Sequence, residues 1–161
     1  LAVGFMKAYE ERGLAKAGIK LLSTGDVTDD GVIDALGDSA LGVISTHQYS
    51  AAHPSPENKA FLAAYTQIDA KTRPNFMAVG GYDGMAAIYE VVRQLKGAVD
   101  GDKAMQVLKG LKLNSPRGPI QIDAETRDIV QNVYVREVKR VDGKLYNVEF
   151  DAINAVKDPG K

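Results

Sequence analysis

Cysteine is absent from the 161 residues, and so is tryptophan; histidine occurs only twice. The lack of cysteine excludes disulfides, thiolate metal sites and cysteine nucleophiles, and it leaves the compartment open. No charge predominates either. The 20 basic and 21 acidic residues give a net charge of −1, which offers no broad attraction to nucleic acid or to an anionic membrane. No apolar run approaches the ~18 residues of a membrane helix. An initiator methionine and a signal peptide are also missing. The chain opens inside a helical pattern, so Leu1 reads as a cut end.

What is present is the composition of a globular protein, 45% hydrophobic and 25% charged. Ala2, Phe5, Met6 and Tyr9 follow helical spacing, and Gly13 suits the stop. Ile19 to Ser23 and Leu41 to Thr46 read as buried strands, with a short helix around Ile33 and Leu36 between them. That order predicts a parallel βαβ unit. A helix carrying Phe61, Leu62, Tyr65 and Ile68 follows Pro54-Ser55-Pro56. Phe76 to Val79 reads as a short strand. Gly80-Gly81-Tyr82-Asp83-Gly84 then leads into a helix with Met85, Ile88, Tyr89, Val92 and Leu95 on one stripe. Asp100-Gly101-Asp102 caps a helix running to Leu111, and Gly118 to Ile122 reads as a short strand. Ile129 to Val141 and Lys144 to Phe150 flank Asp142-Gly143, a strong two-residue hairpin signal. The tail from Ala155 to Lys161 is expected to fray. The predicted class is therefore α/β: a mostly parallel sheet with flanking helices and a carboxyl-terminal β-hairpin.

Three segments can carry chemistry. Ser23-Thr24-Gly25-Asp26 stands at the carboxyl end of a strand, where ligands of open α/β sheets bind. Thr24 offers a hydroxyl and Asp26 a carboxylate for an ammonium or hydroxyl group. The same residues also suit a strand-to-helix turn with Thr24 or Asp26 as a cap, and alone the segment reads better that way. Ser45-Thr46-His47-Gln48-Tyr49-Ser50 is a second strand end. His47 suits a carboxylate and Tyr49 a ring, and a plain connecting segment explains them about as well. In Gly80-Gly81-Tyr82-Asp83-Gly84, glycines before a helix allow backbone N–H groups to approach an anion. The Gly-Lys-Ser/Thr ending of a phosphate loop and the three-glycine spacing of a dinucleotide site are both missing, and an Asp83 cap with packed glycines is the simpler account.

Catalysis and metal binding find little support. No Gly-x-Ser-x-Gly elbow occurs. His47 and His53 flank an expected loop rather than one helix face. Asp26, Asp29 and Asp30 lack the calcium-loop pattern and read as caps. No metal and no cofactor is expected.

An ordered set of segments is more specific than any one of them. It runs Gly18-Ile19-Lys20-Leu21-Leu22-Ser23-Thr24-Gly25-Asp26, then Leu36-Gly37-Asp38-Ser39-Ala40-Leu41-Gly42-Val43-Ile44, His47-Gln48-Tyr49-Ser50 and Val79-Gly80-Gly81-Tyr82-Asp83-Gly84-Met85. It closes with Ser115-Pro116-Arg117-Gly118-Pro119 and Tyr146-Asn147-Val148-Glu149-Phe150. Together these resemble the extracellular ligand-binding receptors of branched-chain amino-acid-type ABC importers. The resemblance implies a type I periplasmic-binding fold: two α/β lobes, three crossovers and a ligand in the cleft between them. It implies that this chain is the carboxyl-terminal part. Residues 1–50 would then belong to the second lobe, 51–128 to a crossover and the first lobe, 129–154 to a hairpin returning to the second lobe, and 155–161 to a tail. The ligand-binding residues it implies are Thr24, Asp26, His47, Tyr49, Gly81, Tyr82 and Asp83, with Asp26 near the position that holds the ligand ammonium in amino-acid-binding members. The His47-Gln48-Tyr49-Ser50 variant resembles members that take aromatic or hydrophobic carboxylates.

The function expected is non-enzymatic capture of a small carboxylate in the periplasm and its delivery to a membrane permease. A sensory domain on the same fold is the alternative, and an α/β hydrolase a lesser one. Helices cut off from their native partners are expected to drive oligomer formation.

Overall fold

The computed structural model describes residues 2–98 and 100–159. The end at Leu1 and the tail residues Gly160 and Lys161 lie outside the described residues.

Helix α1 (Ala2–Glu11) buries Met6 and Tyr9, as their spacing predicts. It stops at Gly13, whose φ of +65° lets Leu14 N–H reach back to the Tyr9 carbonyl. Strand β1 (Leu22–Thr24) follows, then a 3₁₀ turn over Gly25–Thr28, helix α2 (Ile33–Leu36), a second 3₁₀ turn over Gly37–Ala40, and strand β2 (Ile44–His47). β1 and β2 pair in parallel, Leu22 opposite Ile44 and Thr24 opposite Thr46. The expected βαβ unit is thus present, with each strand starting about three residues late.

Helix α3 (Pro56–Ile68) begins with Ser55 accepting the Asn58 N–H and with Pro56 in its first turn. Helix α4 (Phe76–Gln94) corrects the reading of residues 76–79 as a strand. A four-residue apolar run has no period that separates strand from helix. Asn75 decides the matter here, because its side chain accepts from Met77 and Ala78 N–H and so starts a helix at Phe76. Helix α5 (Gly101–Leu108) starts at the Asp100 cap, as expected.

The remainder is antiparallel. Strands β3 (Lys112–Ser115) and β4 (Gly118–Ile122) form a hairpin, of which only β4 was expected as a strand. Strands β5 (Ile129–Val141) and β6 (Lys144–Val156) turn at Asp142 and Gly143, with φ of 49° and 80°. Two left-handed central residues define the type I′ turn expected of Asp-Gly. β6 runs past the point where fraying was expected, and Lys157 Nζ pairs with Asp123 at 2.9 Å.

The sheet order is β1-β2-β5-β4-β3, with β6 beside β5. The sheet is mixed: β1–β2 is its parallel pair and the other pairings are antiparallel. The long hairpin is the reason, since it inserts β5 between β2 and β4. Register shifts between Gln131 and Val133 and between Val135 and Arg136 bend β5 where it passes from β4 to β2.

Two separate apolar clusters result. Met6, Ile33, Leu36, Ala40, Val43, Val138 and Leu145 form one. Tyr49, Phe61 and Val79 form the other, with Tyr65, Phe76 and Ala78 packed against it. Segments 48–55, 115–118 and 131–136 are joined by hydrogen bonds. Ser55 Oγ donates to the Pro116 carbonyl at 3.2 Å and Tyr134 Oη to the Arg117 carbonyl at 2.8 Å, tying these segments together.

Candidate functional site at the ends of the parallel strands

The carboxyl ends of β1 and β2 place Thr24, Gly25, Asp26 and His47 side by side. Thr24 is exposed and forms no side-chain cap on the turn that follows it. Asp26 projects into solvent, its side chain 75% exposed. His47 lies beneath it, 9% exposed, with Nε2 3.6 Å from Asp26 Oδ1. That separation exceeds a hydrogen bond and leaves an electrostatic contact.

The position of His47 depends on its neighbours. A Cβ at residue 25 would stand 1.8 Å from His47 Cδ2, so the imidazole occupies the space that only glycine leaves. Phe76, in the first turn of α4, meets the imidazole edge to face with ring centroids 4.8 Å apart. Burial lowers the His47 pKa and the nearby Arg136 lowers it further, against the opposing pull of Asp26. The lowered pKa favours the neutral imidazole near pH 7, which offers a carboxylate a ring N–H rather than a positive charge. Its Nδ1 is buried without a hydrogen-bond partner.

Arg136 organises the site from below. It is fully buried on β5, opposite Ser45 of β2. Nη1 donates to the Tyr49 carbonyl, and Nη2 to Ser45 Oγ at 3.1 Å and to the Gly25 carbonyl at 3.4 Å. One guanidinium thus ties the end of β1, the body of β2 and the start of the crossover. Asp30, also buried, accepts the Ala51 N–H at 2.9 Å through Oδ2, while Oδ1 has no partner. Burial outweighs that hydrogen bond and the nearby arginines and raises the Asp30 pKa to about 6. This corrects the reading of Asp30 as a helix cap.

The other expected residues lie elsewhere. Tyr49 is a core residue: it is 1% exposed, donates through Oη to Asn58 Oδ1 at 3.0 Å and packs edge-on to Phe61. Burial raises its pKa. Gly81, Tyr82 and Asp83 lie within α4, so no glycine loop precedes a helix there. The backbone N–H groups of residues 80–84 serve the helix, so Asp83 caps nothing and no anion cradle forms there. Tyr82 is half exposed, with its ring 5.0 Å from that of Phe61. Asp83 is buried in an ion pair, its Oδ2 accepting from Arg117 Nε at 2.7 Å. Thr24, Asp26 and His47 come together; Tyr49, Gly81, Tyr82 and Asp83 do not join them.

His53 pairs with Glu149, Nδ1 to Oε2 at 2.8 Å. Among the described residues no cluster of three or more His, Cys, Asp or Glu has the arrangement of a metal site. Likewise, among the described residues no helix is long and apolar enough to cross a membrane.

Residues 1–144 match the family model described as periplasmic binding protein. The chain is 44% identical over 160 residues to Leu/Ile/Val-binding protein homolog 6 of Brucella suis biovar 1 (strain 1330), covering 98% of this chain and 41% of that protein. It is 55% identical, with a TM-score of 0.90, to a solute binding protein of an ABC transporter from Rhodopseudomonas palustris BisB5 solved with 3,4-dihydroxybenzoic acid. That match covers 98% of this chain and 43% of the other. A solute binding protein from Rhodopseudomonas palustris HaA2, solved with p-hydroxybenzoic acid, is 46% identical with a TM-score of 0.88, covering 96% of this chain and 42% of that one. The chain spans about two-fifths of the length of these proteins, which are binding proteins rather than enzymes. By the extent of the family match, the chain belongs to the periplasmic binding proteins.

Proposed function

We propose that the chain is part of the ligand-capturing component of an ABC importer, acting in the periplasm on a small carboxylate, with an aromatic acid favoured over a branched-chain amino acid. One observation carries this reading: the 55% identity to a protein solved with 3,4-dihydroxybenzoic acid. The site agrees with it, since Phe76 and the neutral ring of His47 supply aromatic surface beside the polar strand ends. The name of the Brucella relative points instead to a branched-chain amino acid as ligand.

Thr24, Asp26 and His47 are the second-lobe contacts in this account. Residues 1–50 and the hairpin from 129 belong to one lobe, and 51–128 to the crossover and the other. The two separate apolar clusters follow that division except at Tyr49, which packs with Phe61 and Val79. A ligand bridging both lobes stabilises the closed form through its higher affinity for that form. The closed form is what a membrane permease would receive; neither nucleic acid nor a cofactor has a part in this. Taken alone, the 161-residue chain associates through the exposed stripe of Met77, Met85, Ile88, Tyr89 and Val92 on α4.

A thermal-shift screen of the full-length protein checks the ligand class. Benzoate, 4-hydroxybenzoate or hydroxycinnamate is expected to raise Tm more than leucine does. No shift with any small carboxylate or amino acid would contradict the reading.

A further inference from the structure

We propose that Asp26 and His47 receive a ring hydroxyl of the ligand, so that the ligand's acid group points away from these strand ends and hydroxylated aromatic acids are selected over unsubstituted ones. The inference rests on the proposed capture of an aromatic acid at this site.

The charges around the strand ends carry the argument. Beside the exposed Thr24, the Asp26 carboxylate reaches solvent, 75% exposed, and Asp29 stands three residues on. A ligand carboxylate placed there would meet a like charge, and more strongly as closure excludes water. The cation nearby does not relieve this. Arg136 is fully buried, and its Nη atoms are engaged by the Tyr49 and Gly25 carbonyls and by Ser45 Oγ. Arg73 is committed to Asp34 and the Leu145 carbonyl. His47 is held neutral by burial and by Arg136. The strand ends thus turn the Asp26 carboxylate to solvent while the Arg136 charge stays buried beneath them, which suits a donor on the ligand.

An aromatic acid has its ionised group at one end and, where hydroxylated, an O–H at the other. A single O–H matches a single exposed carboxylate, and a hydrogen bond to an ionised acceptor is among the stronger kinds. An ammonium carries three donors and asks for more acceptors. Asp29 is partly committed, since its Oδ1 accepts from Gly31 N–H and Asn75 Nδ2. Phe76, edge-on to His47, makes the neighbouring wall apolar and suits a ring. A polar site of this kind rejects an analogue lacking its hydroxyl more strongly than an apolar pocket does.

Calorimetric titration of the full-length protein tests this with benzoate, 4-hydroxybenzoate, 4-methoxybenzoate and leucine, in the parent and in Asp26→Ala. The parent is expected to bind 4-hydroxybenzoate about tenfold or more tighter than benzoate or 4-methoxybenzoate. Asp26→Ala is expected to weaken 4-hydroxybenzoate by about the same factor and to strengthen benzoate, removing the preference. Equal affinities in the parent, or a preference that survives Asp26→Ala, would overturn the inference and leave aromatic-acid capture standing. Binding of leucine alone, abolished by Asp26→Ala, would overturn both and assign Asp26 to an ammonium.

Discussion

At the scale of single residues, the site rests on groups that never touch solvent. Gly25 is the tightest constraint: a methyl there collides with His47 at 1.8 Å, and the ring is already held by Phe76. Gly25→Ala is expected to lower stability by about 1–3 kcal/mol, the usual cost of overpacking, and to weaken ligand binding by displacing His47. Urea denaturation and calorimetry measure the two effects. Asp30 gives a pH signature. Its pKa is near 6 in the folded chain against an ordinary 3.8. Between those values the folded state holds a proton that the unfolded state has lost, so stability falls as pH rises from about 4 to about 6. The loss amounts to roughly 3 kcal/mol at 1.36 kcal/mol per pKa unit. Asp30→Asn is expected to remove that decline and to be the more stable form at pH 7, because its amide oxygen can still accept the Ala51 N–H. Denaturation curves at a series of pH values read this, and an unchanged slope would contradict it.

Some of these residues were legible in the sequence and some were not. Thr24, Asp26 and His47 were visible because strand ends are readable from apolar runs. Arg136 was overlooked, although Tyr134, Arg136 and Val138 share one parity on β5 and all three are buried. That parity was the available signal. The demand on Gly25 had no sequence signal, because it depends on a ring that reaches it from the neighbouring strand.

At the scale of elements, the largest correction is α4. Its cap at Asn75 converts an expected strand and glycine loop into one helix of 19 residues. Gly81 illustrates the consequence. A Cβ built there has no atom within 4 Å, and glycine in a helix interior costs about 0.5–1 kcal/mol relative to alanine. Gly81→Ala is expected to raise the unfolding midpoint in urea. A ligand-cradling loop would instead lose affinity with no gain in stability. The Asp142-Gly143 hairpin, by contrast, was readable with its turn type, because its geometry is local. Strand β3 was not, since Lys112–Ser115 becomes a strand only by pairing with β4.

At the scale of the whole molecule, the α/β class and the order of elements followed from periodicity, whereas the mixed sheet depended on where the long hairpin inserts. The bends in β5, the ties among residues 55, 116, 117 and 134, and the bonds of Arg73 to Asp34 and of Arg136 to the Tyr49 carbonyl link the parts of the chain that hold the two apolar clusters. In the proposed capture by closure, movement of one cluster against the other would change the surroundings of Thr24, Asp26 and His47. The central claim is that such a ligand is an aromatic acid. Its most direct test is competition by calorimetry in the full-length protein, titrating 4-hydroxybenzoate in the presence and absence of saturating leucine. The account predicts one-to-one binding of 4-hydroxybenzoate that leucine leaves unaltered; tight binding of leucine with no heat from 4-hydroxybenzoate would contradict it.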